Sequence, residues 1–439
     1  MANESSVQLP AVGQGTNGSV LPQVASRLIG GKQYQQVLMG TDDGVSRDAF
    51  GRLRVSDQAT IFAIDMQYGL EPSYWQSLIV GGGTVVHVPN ESSARLTVST
   101  NGDKVTRQTW QYYRYQPGKS HLIEMTGVFG AAATNIRRRA GYFDNENGIY
   151  IEQTSTGVRV VRRTFTSGSI VNNTVEQAAW NIDRLDGSGG ANNPSGYTLD
   201  LAKGFILAID LQWLGYGRVR IAFVIDGSII PVHAFLNSNV LTTVYMTTAT
   251  LPLRYELEAT GVPGGAATFT QTCTHVASEG GYDLDLGRRY TASNRITQRA
   301  ANPGPTSLVT VRPKLLFNGL TNRKSIFVDA IELLANSNVA GFWELVFGGT
   351  IATPVFTDVA TESSVEFDVA GAAVTGGDVV AAGYVLGASN GGDEHLDVVV
   401  RRPLSLNIAG NLAQQMTLRV TSLGAALNAF GCITFREVG

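Results

Sequence analysis

Between Tyr142 and Glu256 the chain runs in short segments with apolar residues at alternate positions, broken by turn chemistry, and few folds accept that pattern. Phe205, Leu207, Ile209 and Leu211 alternate with their neighbours. A Leu-Gly-Tyr-Gly turn follows, and Val219, Ile221, Phe223 and Ile225 resume the period of two. Alternation places one parity of side chain on one face of a sheet. Asp226-Gly227 then separates that run from Ile229, Ile230 and Val232. An Asp-Gly pair between two apolar runs predicts a tight hairpin, because primed turns need positive φ and Gly adopts it without a Cβ clash. Such a chain builds a stiff sheet surface, which suits scaffolding or binding.

The same pattern extends outward. At 439 residues the chain exceeds one ordinary core, so two or three domains are expected. Residues 1–56 have weak periodicity and read as an extended docking arm, with Arg52-Leu53-Arg54-Val55 a short alternating strand at its end. Residues 57–293 read as one large lectin-like or jelly-roll β-sandwich. Strands are expected at 84–88, 94–99, 106–114, 121–129, 149–152, 157–165, 205–212, 218–225, 229–235, 240–247 and 252–258. A turn-rich loop lies at 183–196, and a short helical turn is allowed within 175–185. Residues 294–307 lack an apolar face, contain Pro-Gly-Pro and read as a linker. About eight short strands in 308–439 have the spacing of a second sandwich. No repeat of fixed period points to a propeller or solenoid. The fold class expected is therefore all-β: two successive β-sandwich or jelly-roll-like domains preceded by an extended arm.

Composition excludes several classes. A net charge of −3 gives no basic face for phosphate, and Arg137-Arg138-Arg139 is too short a run to provide one, so no nucleic-acid partner is expected. No stretch of 18 uncharged apolar residues occurs, and the start of the chain lacks a basic n-region followed by an apolar core. Neither membrane insertion nor a secretory signal is therefore expected. Cys273 and Cys432 form no disulfide framework and no metal-ligand spacing. Both are expected to be small buried hydrophobes in a chain folded in a reducing cytoplasm.

Reactive constellations are sparse. His87, His121, His233, His275 and His395 fall in no metal-binding frame, so no metal or other cofactor is called. His233 reads as a satisfied sheet histidine. Gly387-Ala-Ser-Asn-Gly391 fits a nucleophile elbow around Ser389 but runs into Gly392-Asp393, not a helix. Gly118-Lys119-Ser120 lacks the first Gly of a phosphate loop, and Gly13-Gln-Gly-Thr-Asn-Gly18 lacks a strand before it and a helix after it. Carboxylates gather at Asp144, Glu146 and Glu152, at Asp183 and Asp186, and at Asp283 and Asp285, but sequence singles out no facing pair of the kind a glycosidase needs. No catalytic residue is assigned and an enzyme is not expected. Asp183-x-x-Asp186-Gly187 lacks the register of a calcium loop, and Asx-turn chemistry accounts for it more simply. Tyr112, Tyr113, Tyr115, Tyr142, Phe143, Tyr150, Trp213 and Tyr216 suit core or subunit packing. Trp213 and Tyr216 flank a tight turn and are the candidates for a sugar-binding surface.

Several stretches together resemble a family of virion structural proteins found in tailed bacteriophages and in some large marine viruses. They are Asp48-Ala-Phe-Gly-Arg-Leu-Arg-Val-Ser56, Arg139 to Glu152 with Val160-Val-Arg-Arg163, Trp180 to Gly187, and Trp213 to Gly227. His233, Val244-Tyr-Met246 and Leu251 to Glu256 continue the middle block, and a weaker echo runs from Arg312 to Glu437. The resemblance implies a particle component present in many copies, of fibre, spike or tail-associated type, made in the host cytoplasm and located in the virion. It carries over no catalytic residue. Expected partners are other virion proteins and further copies of the chain, with a trimer as the expected symmetry. Phe50, Leu53 and Val55 would be apolar docking contacts and Arg52 and Arg54 polar ones. The alternatives are a receptor- or glycan-binding attachment protein and a capsid decoration or head-fibre protein.

Overall fold

The structure is a computed structural model. It describes residues 58–439 except 284–286, 296, 298, 302–303, 389–392 and 398–401. It also describes the backbone of three strands among the first 57 residues and that of 393–397, where Leu396 alone has a described side chain. Residues 1–47 form one unit and 48–439 another. In the first unit β1 (Glu4–Gln8), β2 (Gln23–Ile29) and β3 (Lys32–Gln35) make an antiparallel sheet in the order β1-β2-β3. The expected extended arm thus contains a small antiparallel sheet. The docking residues Phe50, Arg52, Leu53, Arg54 and Val55 lie outside the described residues.

The second unit begins with a sandwich of two antiparallel sheets. Its strands are β4 (Ala59–Ile64), β5 (Trp75–Val80), β6 (Thr84–Val88), β7 (Ser93–Val98), β8 (Lys104–Thr109), β9 (Ser120–Val128), β10 (Ile136–Phe143), β11 (Gly148–Thr154) and β12 (Gly157–Thr164). They continue as β13 (Val171–Glu176), β14 (Gly204–Leu211), β15 (Val219–Ile225), β16 (Ser228–Phe235), β17 (Leu253–Ala259) and β18 (Ala267–Glu279). One sheet has seven strands in the order β13-β12-β11-β10-β17-β8-β5. The other has eight, in the order β16-β15-β14-β9-β18-β7-β6, with β4 also paired to β18. The inner parity of most strands is apolar, with Arg107, Arg138 and Gln271 among the buried polar exceptions, and one core spans the seam. Phe269 of β18 anchors it, edge-on to Phe129 at 4.7 Å and to Tyr255 of the opposite sheet at 5.4 Å. The expected Asp226-Gly227 turn joins β15 to β16 with φ of 49° and 77°.

Several expectations change, and β4, β5, β10, β13 and β18 are strands where none was expected. Residues 240–247 form no strand: Val240 and Leu241 donate to Asn237 O, and Tyr245 donates to Gly215 O, so their main chain is spent on turns. The allowed helical turn is a single 3-10 turn at Gln177–Ala179. β10 was hidden by Arg137-Arg138-Arg139, a run that reads as solvated. In the sheet Arg137 pairs with Glu258, and Arg139 donates to Glu152 and Glu256. Arg138, of opposite parity, turns inward to Thr268 O, Ala131 O and Gln153 Oε1. Glu256 is almost wholly buried. Burial alone would raise its pKa, but Lys104, Arg139 and Arg254 outweigh that and bring it down to about 2.

The chain enters the second sandwich earlier than expected. Arg288–Ser293 pairs with Leu427–Val438, and Arg299–Ala301, inside the expected linker, pairs with the same strand. A five-stranded and a six-stranded sheet enclose the second core. This sandwich meets the outer face of the seven-stranded sheet. Ile408 N donates to Gln76 Oε1 at 2.8 Å, Ser325 Oγ donates to Tyr112 O at 3.2 Å, and the Arg323 guanidinium lies 4.9 Å from the Tyr112 ring centroid.

Replacing Phe269 with Ala removes the anchor of the seam and should cost about 3–5 kcal/mol in urea unfolding. A loss under about 1 kcal/mol would contradict the core described here.

Candidate functional site

The outer face of the eight-stranded sheet carries a groove of about 470 Å³ across β14, β9, β18 and β4. Its lining includes Asp65, Glu124, Thr126, Ile206, Cys273 and His275. Neighbouring strands lie about 4.8 Å apart, so four of them span about 14 Å. The volume falls within the range usual for small-ligand sites.

Strand parity builds the floor. In β9, His121, Ile123 and Met125 point inward, which leaves Glu124 and Thr126 outside. β18 obeys one parity as far as Gln271 and the other from Thr274 onward. Its pairing with β9 runs Gln271↔Gly127 and then Thr274↔Met125, so Thr272 and Cys273 together oppose Thr126. This is a β-bulge, one extra residue on one strand. It flips every side chain beyond it, so Val276 goes to the core and His275 to the groove.

Two devices hold the bulge. The Thr126 hydroxyl accepts from Cys273 N at 2.8 Å and donates to Cys273 O at 3.0 Å, which satisfies main-chain groups the ladder cannot pair. Gly127 gives the clearance: a Cβ there would lie 2.4 Å from Thr270 O.

Beyond the bulge Glu124 and His275 are direct cross-strand partners. His275 Nδ1 lies 2.9 Å from Glu124 Oε2, so that nitrogen carries the hydrogen and donates it to the carboxylate. His275 Nε2 faces the Thr60 hydroxyl at 3.4 Å. Cys273 is exposed, contrary to the expectation of a buried hydrophobe, because the bulge turns it outward. Cys432 is half-buried, and both cysteines are free. Burial and Asp65 push the Cys273 thiol pKa up despite the Thr126 hydrogen bond, so at neutral pH it is a thiol and a poor nucleophile. The groove therefore offers hydroxyl, carboxylate and imidazole groups beside the aliphatic edge of Ile206, all fixed on strands.

Apart from Cys273 and His275, the residues singled out by sequence lie elsewhere. Trp213 packs on the core, edge-on to Tyr115 at 6.1 Å, with Nε1 donating to Met246 O. Tyr216 is exposed, so the turn does not present the two rings as one platform. Tyr112, Tyr113, Tyr115, Tyr142, Phe143 and Tyr150 are buried. Asp183 organises the 183–196 loop: Oδ1 accepts from Leu185 N and Asn193 Nδ2, and Oδ2 accepts from Ser195 N. These N–H donors fill the coordination a cation would need, as in an Asx turn. Among the described residues no group of three or more His, Cys, Asp or Glu is placed to hold a metal ion. Ser389 and Asp285 lie outside the described residues. Sequence reasoning weighed His275 only as a metal ligand and missed its partner Glu124, 151 positions away, since no local motif signals the pair.

No family model matches the chain, and no curated protein matches it. Among solved structures, it is similar to a legume lectin-like domain from Entamoeba histolytica, at 10% identity and TM-score 0.29 over 51% of this chain and 97% of that one. It is similar to the CBM2 module of the evolved Dit of Lactobacillus casei BL23 phage J-1, at 9% identity and TM-score 0.32 over 52% and 100%. It is also similar to an endo-acting O-glycanase from human gut microbiota, at 12% identity and TM-score 0.33 over 50% and 99%. The fold assignment rests on the sheet order and registers above.

Two predictions follow from these geometries. Thr126→Val keeps the side-chain shape but leaves Cys273 N–H without its acceptor, so urea unfolding should show a loss of about 1–3 kcal/mol. An unchanged midpoint would mean that the hydroxyl does not hold the bulge. Acid should act in two windows. Burial lowers His121 and His233 to about 4, so the unfolded chain binds protons first and stability falls as pH drops from about 6.5 toward 4. Glu256, at about 2 when folded, adds stability that is complete above about 4.5 and is lost as pH falls from there toward 2. Unfolding midpoints measured from pH 8 to pH 2.5 test both windows, and flat stability across either one contradicts the corresponding burial.

Proposed function

We propose that this protein is a carbohydrate-binding attachment component of a virus particle and that it engages glycan through the groove on the eight-stranded sheet. The groove is the observation that carries the reading. A sugar presents hydroxyls around its rim and C–H groups on its faces. Glu124, Thr126 and His275 supply hydrogen-bonding partners beside Ile206, on strands that cost little to order further.

The particle location rests on the resemblance of residues 48–56, 139–187 and 213–256 to virion structural proteins. The parts of that resemblance described by the structure build scaffold: Arg139, Glu152 and Glu256 tie strands together, and Asp183 ties a loop.

We read the site as binding without hydrolysis. A glycosidase needs one carboxyl that stays protonated near neutral pH. The buried pair on the seven-stranded sheet is unsuited to that. Glu256 is held at about 2, and Arg139 and Arg159 outweigh burial to lower Glu152. In the groove, Glu124 is engaged by His275.

A glycan array probed with the full chain should find at least one ligand class, and Glu124→Ala should weaken its binding at least tenfold without lowering the melting temperature. No reducing ends should be released on incubation with that glycan, and antibody-gold should decorate purified particles. Equal binding by wild type and variant would remove the groove from the function. Absence of gold from particles would remove the virion role.

A further inference from the structure

The first sandwich has four sheet edges, and they are not equally protected. An open edge offers unpaired main-chain N–H and C=O groups to any strand, and proteins guard such edges with charge, proline, bulges or shortness. β16 carries Pro231, and its pairing with β15 is broken by a register shift. β13 ends at Glu176, which pairs with Arg159, and its chain turns at once into the 3-10 turn. The opposite rim, formed by β5 and β6, has none of these devices. From Trp75 to Val88 there is no Asp, Glu, Lys, Arg or Pro.

That rim is also apolar where it meets solvent. Leu78, Ile79, Val80 and Val86 are between 43% and 57% exposed. Beside them the 404–412 loop of the second sandwich, held to β5 by the Gln76–Ile408 hydrogen bond, adds Leu412 at 62% exposed. We propose that β5 pairs antiparallel with β5 of a second copy across a twofold axis, so that two seven-stranded sheets become one continuous sheet.

A strand is the chemistry that completes an unpaired ladder, and an uncharged strand opposite itself brings no like charges together. Leu78, Ile79, Val80 and Leu412 leave on the order of 350 Å² of apolar surface per copy, so with the main-chain strip two copies cover roughly 800 Å², and the ladder's main-chain hydrogen bonds add to that small contact. The charged edge strands Arg288–Ser293 and Asp393–Asp397 of the second sandwich offer no such match.

The test is analytical ultracentrifugation of the full chain at micromolar concentration. The expected mass is two chains. Leu78→Lys combined with Ile79→Lys, both at exposed positions, should weaken association at least tenfold with an unchanged melting temperature. Tyr384→Glu, on the open 378–385 edge of the second sandwich, should leave association intact. Hydrogen exchange of wild type provides a measure that needs no variant: β5 amides should be protected when concentrated and lose protection on dilution. A mass of one or three chains, an association that survives the double substitution, or β5 exchange indifferent to dilution overturns the proposal.

Discussion

β18 is the strand on which the first sandwich depends. It pairs with β9 along one side, and along the other it pairs with β7 over its first half and β4 over its second. Its inward residues, Phe269 and Val276, enter the core on either side of a single inserted residue. One irregularity, opposite Thr126, shifts its register against β9, and a second, at Val276/Ala277, shifts it against β4. The bulge leaves main-chain groups unpaired, and the Thr126 hydroxyl restores the hydrogen bonds within the same sheet. Fold and site are therefore one construction: the bulge that sets the parity of the half of β18 on which β4 pairs is the one that turns His275 toward Glu124.

The two outer faces solve different problems. On the seven-stranded sheet, Arg139 joins Glu152 of β11 to Glu256 of β17 across β10, while Arg159 and Lys104 extend the lattice to either side. Ion pairs this buried are expensive to assemble and damaging to break singly, since removing one partner strands a desolvated charge. They hold strands in register and bind their carboxylates in ionised form. The second sandwich contacts this face. The eight-stranded sheet keeps its polar groups in smaller sets and leaves a groove over them, with the uncharged β5 and β6 rim to one side. Scaffold, groove and rim thus fall on different parts of one sandwich.

Much of this was written locally. Phe205 to Leu211 and Val219 to Ile225 announce strands by period alone, and Asp226-Gly227 announces its hairpin, because parity and turn conformation are set by near neighbours. Arg137-Arg138-Arg139 hides a strand for the opposite reason: Glu256 and Glu258 are more than a hundred residues away, and Glu152 and Gln153 meet it only once β10 and β11 pair. The same distance hides the reason that 299–301, set among linker-like residues, becomes a strand on 427–438.

By itself the sequence determined the all-β class, the two sandwiches and the Asp226-Gly227 hairpin, since each follows from alternation, turn residues and composition. Tertiary structure alone decided which parity of β18 faces the groove, which carboxylates meet arginine, that Glu124 and His275 touch, and which sheet edges stay open. Those outcomes depend on strand order and register, which long-range pairing fixes and no local window contains.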